Sequence, residues 1–345
     1  MKCAVFKEPY NFEIVNRDIP LAGKGQVLVK IMAAGICGSD ISPYTGRDIQ
    51  RRQPGIIMGH EAAGIVESVG EGVTAWKKGD RVAVNPQIYC EKCIYCRTGA
   101  YNLCDNMFLI GSSKRVFLDG AMCQYLCISD KQLLSLPGNV GYNEGAMLDP
   151  AGNAFRVVRC GGVGVGDTVA VMGCGAIGLI AIQTARIAGA GKVIAVSRSD
   201  RKLGIAGEVG ADVCINSGDA ASAERRIKSL TNGKGADVII DAAGFADTYA
   251  LAVKSCKKGG AVVALGYGST HINFPLTELI FKEIRLIGST GFAAEGEMVL
   301  EYLSKGLIKL DKIITGRFPL EDIKKGFDKL IEPGGSEIKV IINPN

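Results

Sequence analysis

The sequence predicts an α/β protein with a β-rich part and a doubly wound parallel sheet. Three observations carry this reading. Over the first 150 residues, short apolar runs are punctuated by glycine and proline, and the pattern changes near Asp167. Beyond it, apolar strands alternate with helical stretches, the mark of right-handed βαβ units. A G-x-G-x-x-G turn joins the first of those strands to the first of those helices.

The elements follow in order. Gln26–Ala33, Ala63–Val69 and Arg81–Asn85 read as strands, with turns at Gly35, Gly70-Glu71-Gly72 and Lys78-Gly79-Asp80. Thr168–Met172 is a fully apolar strand, and Ala176–Ala188 a helix. Lys192–Val196 is the next strand, and a helix follows from about Arg201 to Val209. Asp237–Ile240 and Ala261–Leu265 are two further buried strands. Helical segments from about Gly291 and a strand at Ile338–Ile342 close the chain. Its 345 residues exceed the usual size of one hydrophobic core, so two domains are expected.

Composition excludes several classes. A net charge of +5 spread over scattered Lys and Arg, with 6% aromatics, gives no nucleic-acid surface. No stretch is long and apolar enough for a membrane span, since Leu179–Ala188 is broken by Gln183 and Arg186. The first residues lack the apolar core of a signal peptide, so a cytoplasmic protein acting on a small molecule is expected. Twelve cysteines in that compartment point to metal or redox chemistry rather than a disulfide framework.

Cys90, Cys93, Cys96 and Cys104 form C-x2-C-x2-C-x7-C. Four thiolates so close in sequence can enclose one tetrahedral zinc and leave no open position, which makes a structural site. The competing readings are plain or disulfide-paired cysteines and an iron–sulfur cluster, whose usual C-x2-C-x2-C-x3-C-P spacing is not matched. A second group lies upstream, with Cys37 in Gly35-Ile36-Cys37-Gly38-Ser39-Asp40 and His60-Glu61 after Gly59. A thiolate, an imidazole and a carboxylate would leave a zinc open to a further ligand, as a catalytic site requires. His60 alone would read as a core histidine; beside Cys37 and the four-cysteine lobe it reads as a ligand.

Gly173-Cys174-Gly175-Ala176-Ile177-Gly178 follows a strand and opens a helix, which makes it a dinucleotide turn. Its glycines admit a pyrophosphate, and the helix N-terminus offers N–H donors to it. An acid at the end of the second strand would hold the ribose of NAD, but the chain has Ser197-Arg198 there. Ser197 removes a repulsion and Arg198 can take a 2′-phosphate, favouring NADP(H) over NAD(H). The alternative leaves Arg198 in solvent and gives the ribose to Asp200.

These motifs occur in the order in which the zinc-containing medium-chain dehydrogenase/reductase (alcohol dehydrogenase) family carries them, and the chain resembles that family over its whole length. The resemblance implies a GroES-like catalytic domain at 1–153 and 289–345, with the zinc lobe at 86–108, and a Rossmann domain at 154–288. It implies Cys37, His60 and Glu61 as catalytic-zinc ligands beside the four-cysteine structural zinc, and a homodimer or homotetramer. The fourth position of the family falls on Asp149-Pro150, as in the sorbitol and threonine dehydrogenase branch, so Asp149 is a further ligand, direct or through water, or a turn acid. Lys339 is implied as a pyrophosphate contact, its alternative being a strand-edge lysine. Ser39 matches the hydroxyl that starts the family's proton relay, whereas Ser42 stands where many relatives have a histidine.

The implied reaction moves hydride between a carbinol carbon and the nicotinamide. Candidate substrates are polyols, sugar alcohols or their phosphates, and cyclitols, with threonine or a vicinal diol as alternatives. Loss of the relay histidine weighs against threonine. The basic stretch Arg47, Arg51 and Arg52 could favour an anionic substrate or be a solvated loop. The alternative of another class is a nucleotide-binding relative without catalysis, which would be expected to lack the zinc ligands.

Overall fold

The computed structural model describes residues 1–345 apart from 267, 270, 273, 274 and 336. The chain forms two compact units, one of Met1–Asp149, Ala293–Gly306 and Ile313–Asn345, the other of Pro150–Phe292 and Leu307–Lys312.

The first unit is β-rich. Its strands are β1 (Lys2–Glu8), β2 (Asn11–Asn16), β3 (Gln26–Gly35), β4 (Glu61–Val69), β5 (Arg81–Val84), β6 (Gln87–Ile88), β7 (Phe108–Leu109), β8 (Tyr125–Ser129), β9 (Leu133–Ser135) and, late in the chain, β16 (Ile314–Pro319) and β17 (Lys339–Asn343). The main sheet runs β16-β17-β3-β4-β5-β9, and β8 also pairs with β3. Alternate residues Val27, Val29 and Ile31 of β3 point into one core with Val82, Val84, Leu126 and Ile128, the period of two expected of a strand. Short helices α1 (Gly38–Tyr44), α2 (Ile94–Arg97) and α3 (Tyr142–Gly145) precede the second unit. Helices α10 (Glu295–Ser304) and α11 (Ile323–Ile331) follow it, and Phe327 of α11 packs against Tyr44 and Phe12.

The second unit is a parallel sheet with helical crossovers. In sequence it runs α4 (Leu148–Gly161, whose first two residues belong to the first unit), β10 (Thr168–Met172), α5 (Ala176–Ile187), β11 (Lys192–Ser197), α6 (Asp200–Glu208), β12 (Val213–Asn216), α7 (Ala220–Leu230), β13 (Ala236–Asp241), α8 (Ala246–Ser255), β14 (Cys256–Ala264), α9 (Leu276–Phe281) and β15 (Arg285–Gly288). Every pairing is parallel and the spatial order is β12-β11-β10-β13-β14-β15, so the winding reverses between β10 and β13. Strands covered on both faces become continuous apolar runs, which is why Val169–Met172 and Val193–Val196 are buried throughout.

Among the features not anticipated, two bear on the sheet and the division into units. β15 reads Arg-Leu-Ile-Gly and is mostly exposed, too short and too mixed to carry a strand signal. Leu307–Lys312 stays with the second unit because Gln183 of α5 brackets Lys309, donating to its carbonyl at 3.1 Å and accepting from its N–H at 2.8 Å. No helix among the described residues is long and apolar enough to cross a membrane.

Candidate metal and nucleotide sites

The four-cysteine lobe closes on itself. The Sγ atoms of Cys90, Cys93, Cys96 and Cys104 all lie within 4.8 Å of one another, with 3.5 Å between Cys93 and Cys96. A tetrahedral zinc with Zn–S bonds of about 2.3 Å sets its sulfurs roughly 3.8 Å apart, so the four thiols fit one ion. Backbone amides are already aimed at the sulfurs: Cys90 N–H donates to Cys104 Sγ at 3.2 Å and Cys93 N–H to Cys90 Sγ at 3.4 Å. Such donors favour a thiolate, and the amides of Lys92 and Cys93 pull the Cys90 thiol down to about 6. None of the twelve cysteines forms a disulfide.

Strand register assembles the second group. β3 and β4 are antiparallel with Gly35 opposite Glu61, which brings Cys37, just past β3, beside His60, just before β4. One donor atom from each of Cys37, His60 and Glu61 lies within 4.8 Å of the others. A Cβ at position 35 would collide with Glu61 Oε2, so Gly35 leaves the space that this carboxylate occupies. A thiolate–imidazole–carboxylate set fits zinc and, being three donors, leaves a coordination position for substrate oxygen.

A buried polar shell surrounds these three residues. His60 Nδ1 faces Asp40 Oδ2 at 3.6 Å and Arg52 Nη2 at 3.4 Å, which leaves Nε2 as the nitrogen free to ligate. Burial opposes charge on His60, but Asp40 and then Cys37 outweigh it and hold the imidazole well above its ordinary pKa, so metal uptake there displaces a proton. Burial would raise Asp40 too, yet His60 and Arg52 hold its carboxyl below the usual range. Asp40 was not singled out from sequence as a site residue, and Arg52 was read only as part of a basic loop. For Asp40 the signal was local: it stands three residues after Cys37 and its side chain accepts from the Cys37 N–H at 3.2 Å, as an N3 acid does when it caps a helix start.

Three expectations change. Arg52 is no solvated or substrate-facing cation: it is 1% exposed and its Nε and Nη2 both reach Asp40 Oδ1 at 3.0 Å. Arg51 pairs with Asp48 at 3.0 Å, so of the basic stretch Arg47 alone stays in open solvent without an acidic partner in its loop. Lys339 is no strand-edge lysine, because β17 lies between β16 and β3; its buried ammonium donates to the Ile36 carbonyl at 3.0 Å and pairs with Glu61. That engagement with Glu61 places Lys339 beside the metal group. Asp149 sits in the first turn of α4, outside the 4.8 Å set. Burial pushes its pKa up to about 6 while His60 and Lys339 pull the other way, which places it within the field of the group. Ser39 is buried in α1 two residues beyond Cys37, and Ser42 is half-buried one turn on.

The nucleotide turn is built as its glycines require. Gly173 has φ +93°, and a Cβ there would meet Ala243 at 2.9 Å. At Gly178 a Cβ would strike the Gly173 carbonyl, so this glycine lets α5 pack on the turn. At Gly175, the residue preceding Ala176 and Ile177 of α5, an added Cβ meets nothing within 4 Å: the space above the helix N-terminus is open. A cavity of about 720 Å³ begins there, lined by Gly173, Gly175, Ser197, Arg198, Ser199 and Lys202 and, from beyond β13, by Ala243 and Phe245. It lies where the sheet order reverses, the place a parallel sheet of this kind binds ligands. Ser197 Oγ accepts from Ser199 N–H at 3.3 Å, and the Arg198 guanidinium lies 5.9 Å from the centre of the Phe245 ring. Lys202, in the first turn of α6, is a second cation at this rim that motif reading missed.

Comparison with known proteins agrees with both halves. A family model described as an alcohol dehydrogenase GroES-like domain matches residues 23–138, and one described as a zinc-binding dehydrogenase matches 176–305. The chain is 31% identical to sorbitol dehydrogenase of Bacillus subtilis (strain 168) over 100% of its own length and 98% of that protein. It is 35% identical to L-threonine 3-dehydrogenase of Caldanaerobacter subterraneus subsp. tengcongensis over 96% and 95% of the two chains. A structure described as a zinc-binding dehydrogenase of Sinorhizobium meliloti 1021 bound to NADP superposes with a TM-score of 0.89 at 30% identity, covering 99% of each chain.

Proposed function

The chain belongs to the zinc-containing medium-chain alcohol dehydrogenase family, and from that premise we propose that it moves hydride between a secondary alcohol of a polyol, sugar alcohol or cyclitol and NADP(H), with two zinc ions per chain. The observation that carries the reading is the grouping of Cys37, His60 and Glu61 in a three-donor set, apart from the closed set of four cysteines. Zinc held by the three donors would supply Lewis-acid polarisation of the alcohol or ketone oxygen. The chain supplies the rest. The Asp40 carboxylate, 3.6 Å from Nδ1 of His60, faces that side of the ring and leaves Nε2 for the site. Lys339 restrains the Glu61 carboxylate. Ser39 is positioned by sequence to take the hydroxyl proton first, and Ser42 replaces the histidine that many relatives use for its exit.

The cofactor preference rests on the cavity rim. Ser197, Arg198 and Lys202 offer a hydroxyl and two cations where an acid would repel a 2′-phosphate. Asp200, the alternative ribose partner, is outside the cavity lining and accepts from Asn216 Nδ2 at 2.6 Å. The NADP-bound relative supports the same choice. We assign the substrate class from the sorbitol dehydrogenase relative and the acid at position 149; the threonine dehydrogenase relative keeps threonine on the panel. A cytoplasmic setting accords with twelve unpaired cysteines, and self-association with β15, an edge strand with an exposed Leu286.

The test is turnover of a panel of polyols, polyol phosphates, cyclitols, diols and threonine with NADP or NAD, following reduced nicotinamide. We expect a polyol or cyclitol with NADP to give the highest kcat/KM. Threonine with NAD as the best pair would overturn both assignments.

A further inference from the structure

A guanidinium that is 1% exposed is costly to bury unless its geometry serves something, and Arg52 is one of the largest fully buried side chains of the protein. Its donors are committed in an uneven way. Nε and Nη2 both converge on Asp40 Oδ1 at 3.0 Å, and Nη1 donates to the Arg51 carbonyl at 3.1 Å. Asp40 is itself fully buried, and its other oxygen, Oδ2, accepts the Cys37 N–H at 3.2 Å and faces His60 Nδ1 at 3.6 Å. Arg52 thus saturates one oxygen and turns the second towards the residues expected to hold the catalytic zinc.

We propose that Arg52 is a positioning residue for that zinc site, acting through Asp40 to orient the His60 ring; the proposal rests on the catalytic-zinc reading above. The logic is one of donors and acceptors. Ligation through Nε2 requires the ring proton on Nδ1, and that proton needs an acceptor. Arg52 Nη2 stands 3.4 Å from Nδ1 but is a donor and cannot take that proton, so Asp40 Oδ2, 3.6 Å away, is the acceptor at hand once the ring ligates through Nε2. A carboxylate free to rotate could offer Oδ2 elsewhere; one pinned by a two-donor fork on Oδ1 cannot. A lysine would neutralise Asp40 equally well but would pin it with a point charge, without the planar fork. Arg52 is therefore fitted for orientation beyond charge balance. Its burial, with Nε, Nη1 and Nη2 all engaged inside the protein, also removes it from recognising an anionic substrate.

The test is timed release of zinc to a chromogenic chelator from the fully loaded protein, with Cys37→Ala identifying which equivalent belongs to which site. For Arg52→Met we expect release of the Cys37-dependent equivalent to speed up roughly 10-fold or more, with the four-cysteine equivalent unchanged. Arg52→Lys should give a smaller, several-fold acceleration of the same equivalent, and serves alone if Arg52→Met fails to fold. Unchanged release of both equivalents overturns the proposal. So does equal acceleration of both, which would mark Arg52 as a general support of the fold. Wild-type protein that takes up only the cysteine-lobe zinc would instead overturn the catalytic-zinc reading on which the proposal stands.

Discussion

The two metal groups of the first unit are built in opposite ways. The cysteine lobe takes all four donors from residues 90–104, with backbone N–H groups supplying the polar surroundings. The Cys37 group draws its donors from two strand ends and its surroundings from distant side chains: Asp40, Arg52 and, from the last strand, Lys339. A local loop can close around an ion and add stability; its shell is full, so it has no place for a substrate. A site assembled by register keeps an open position, and charged side chains deep in the protein hold it there. The difference teaches that the four-cysteine group is carried by spacing, whereas the Cys37 group is carried by the fold.

Breaking the lobe should have the largest effect on stability and the smallest direct effect on chemistry. Cys96→Ser removes a buried ligand, and we expect loss of one zinc and about 4 kcal/mol or more of stability, read by thermal unfolding, with the Cys37 group still able to take metal. Asp40→Asn sharpens the contrast from the other side. It should weaken only the Cys37-dependent zinc, by roughly 10- to 100-fold in Kd, and leave the lobe loaded. Ser197→Asp probes a site outside both groups: NADP(H) should bind roughly 10- to 100-fold more weakly in titration calorimetry, with zinc content unchanged. Gly35→Ala drives a methyl group into the Glu61 carboxylate and should lower occupancy of the same zinc at a cost of about 1–3 kcal/mol in stability. Arg47→Ala, in the exposed loop, should change kcat/KM for a neutral polyol by less than about 2-fold, since surface substitutions of this kind stay within about 0.5 kcal/mol.

The same contrast explains what the sequence could tell. The C-x2-C-x2-C-x7-C lobe, the Gly173–Gly178 turn and the strands flanking it depend on neighbours in the chain, and they were legible. Cys37, His60 and Glu61 were legible as a group through their motifs and through resemblance to a family. Their surroundings were not. Arg52 lies in a basic run that reads as solvated, because nothing local announces that Asp40, twelve residues earlier, will be buried against it. Lys339 meets Glu61 only because β17 joins the sheet beside β3, a pairing across some three hundred residues that no motif encodes. Asp149 matched a family position and lies outside the three-donor set. Long-range register and buried ion pairs leave no local period to read.

The central claim is that one zinc stabilises and the other reacts. Native mass spectrometry of wild type and Cys37→Ala, paired with turnover of the same samples, tests it most directly. The account predicts two zinc ions per wild-type chain, one per Cys37→Ala chain with folding intact, and turnover lowered roughly 1,000-fold or more. Cys37→Ala retaining two zinc ions, or keeping wild-type turnover with one, would contradict it.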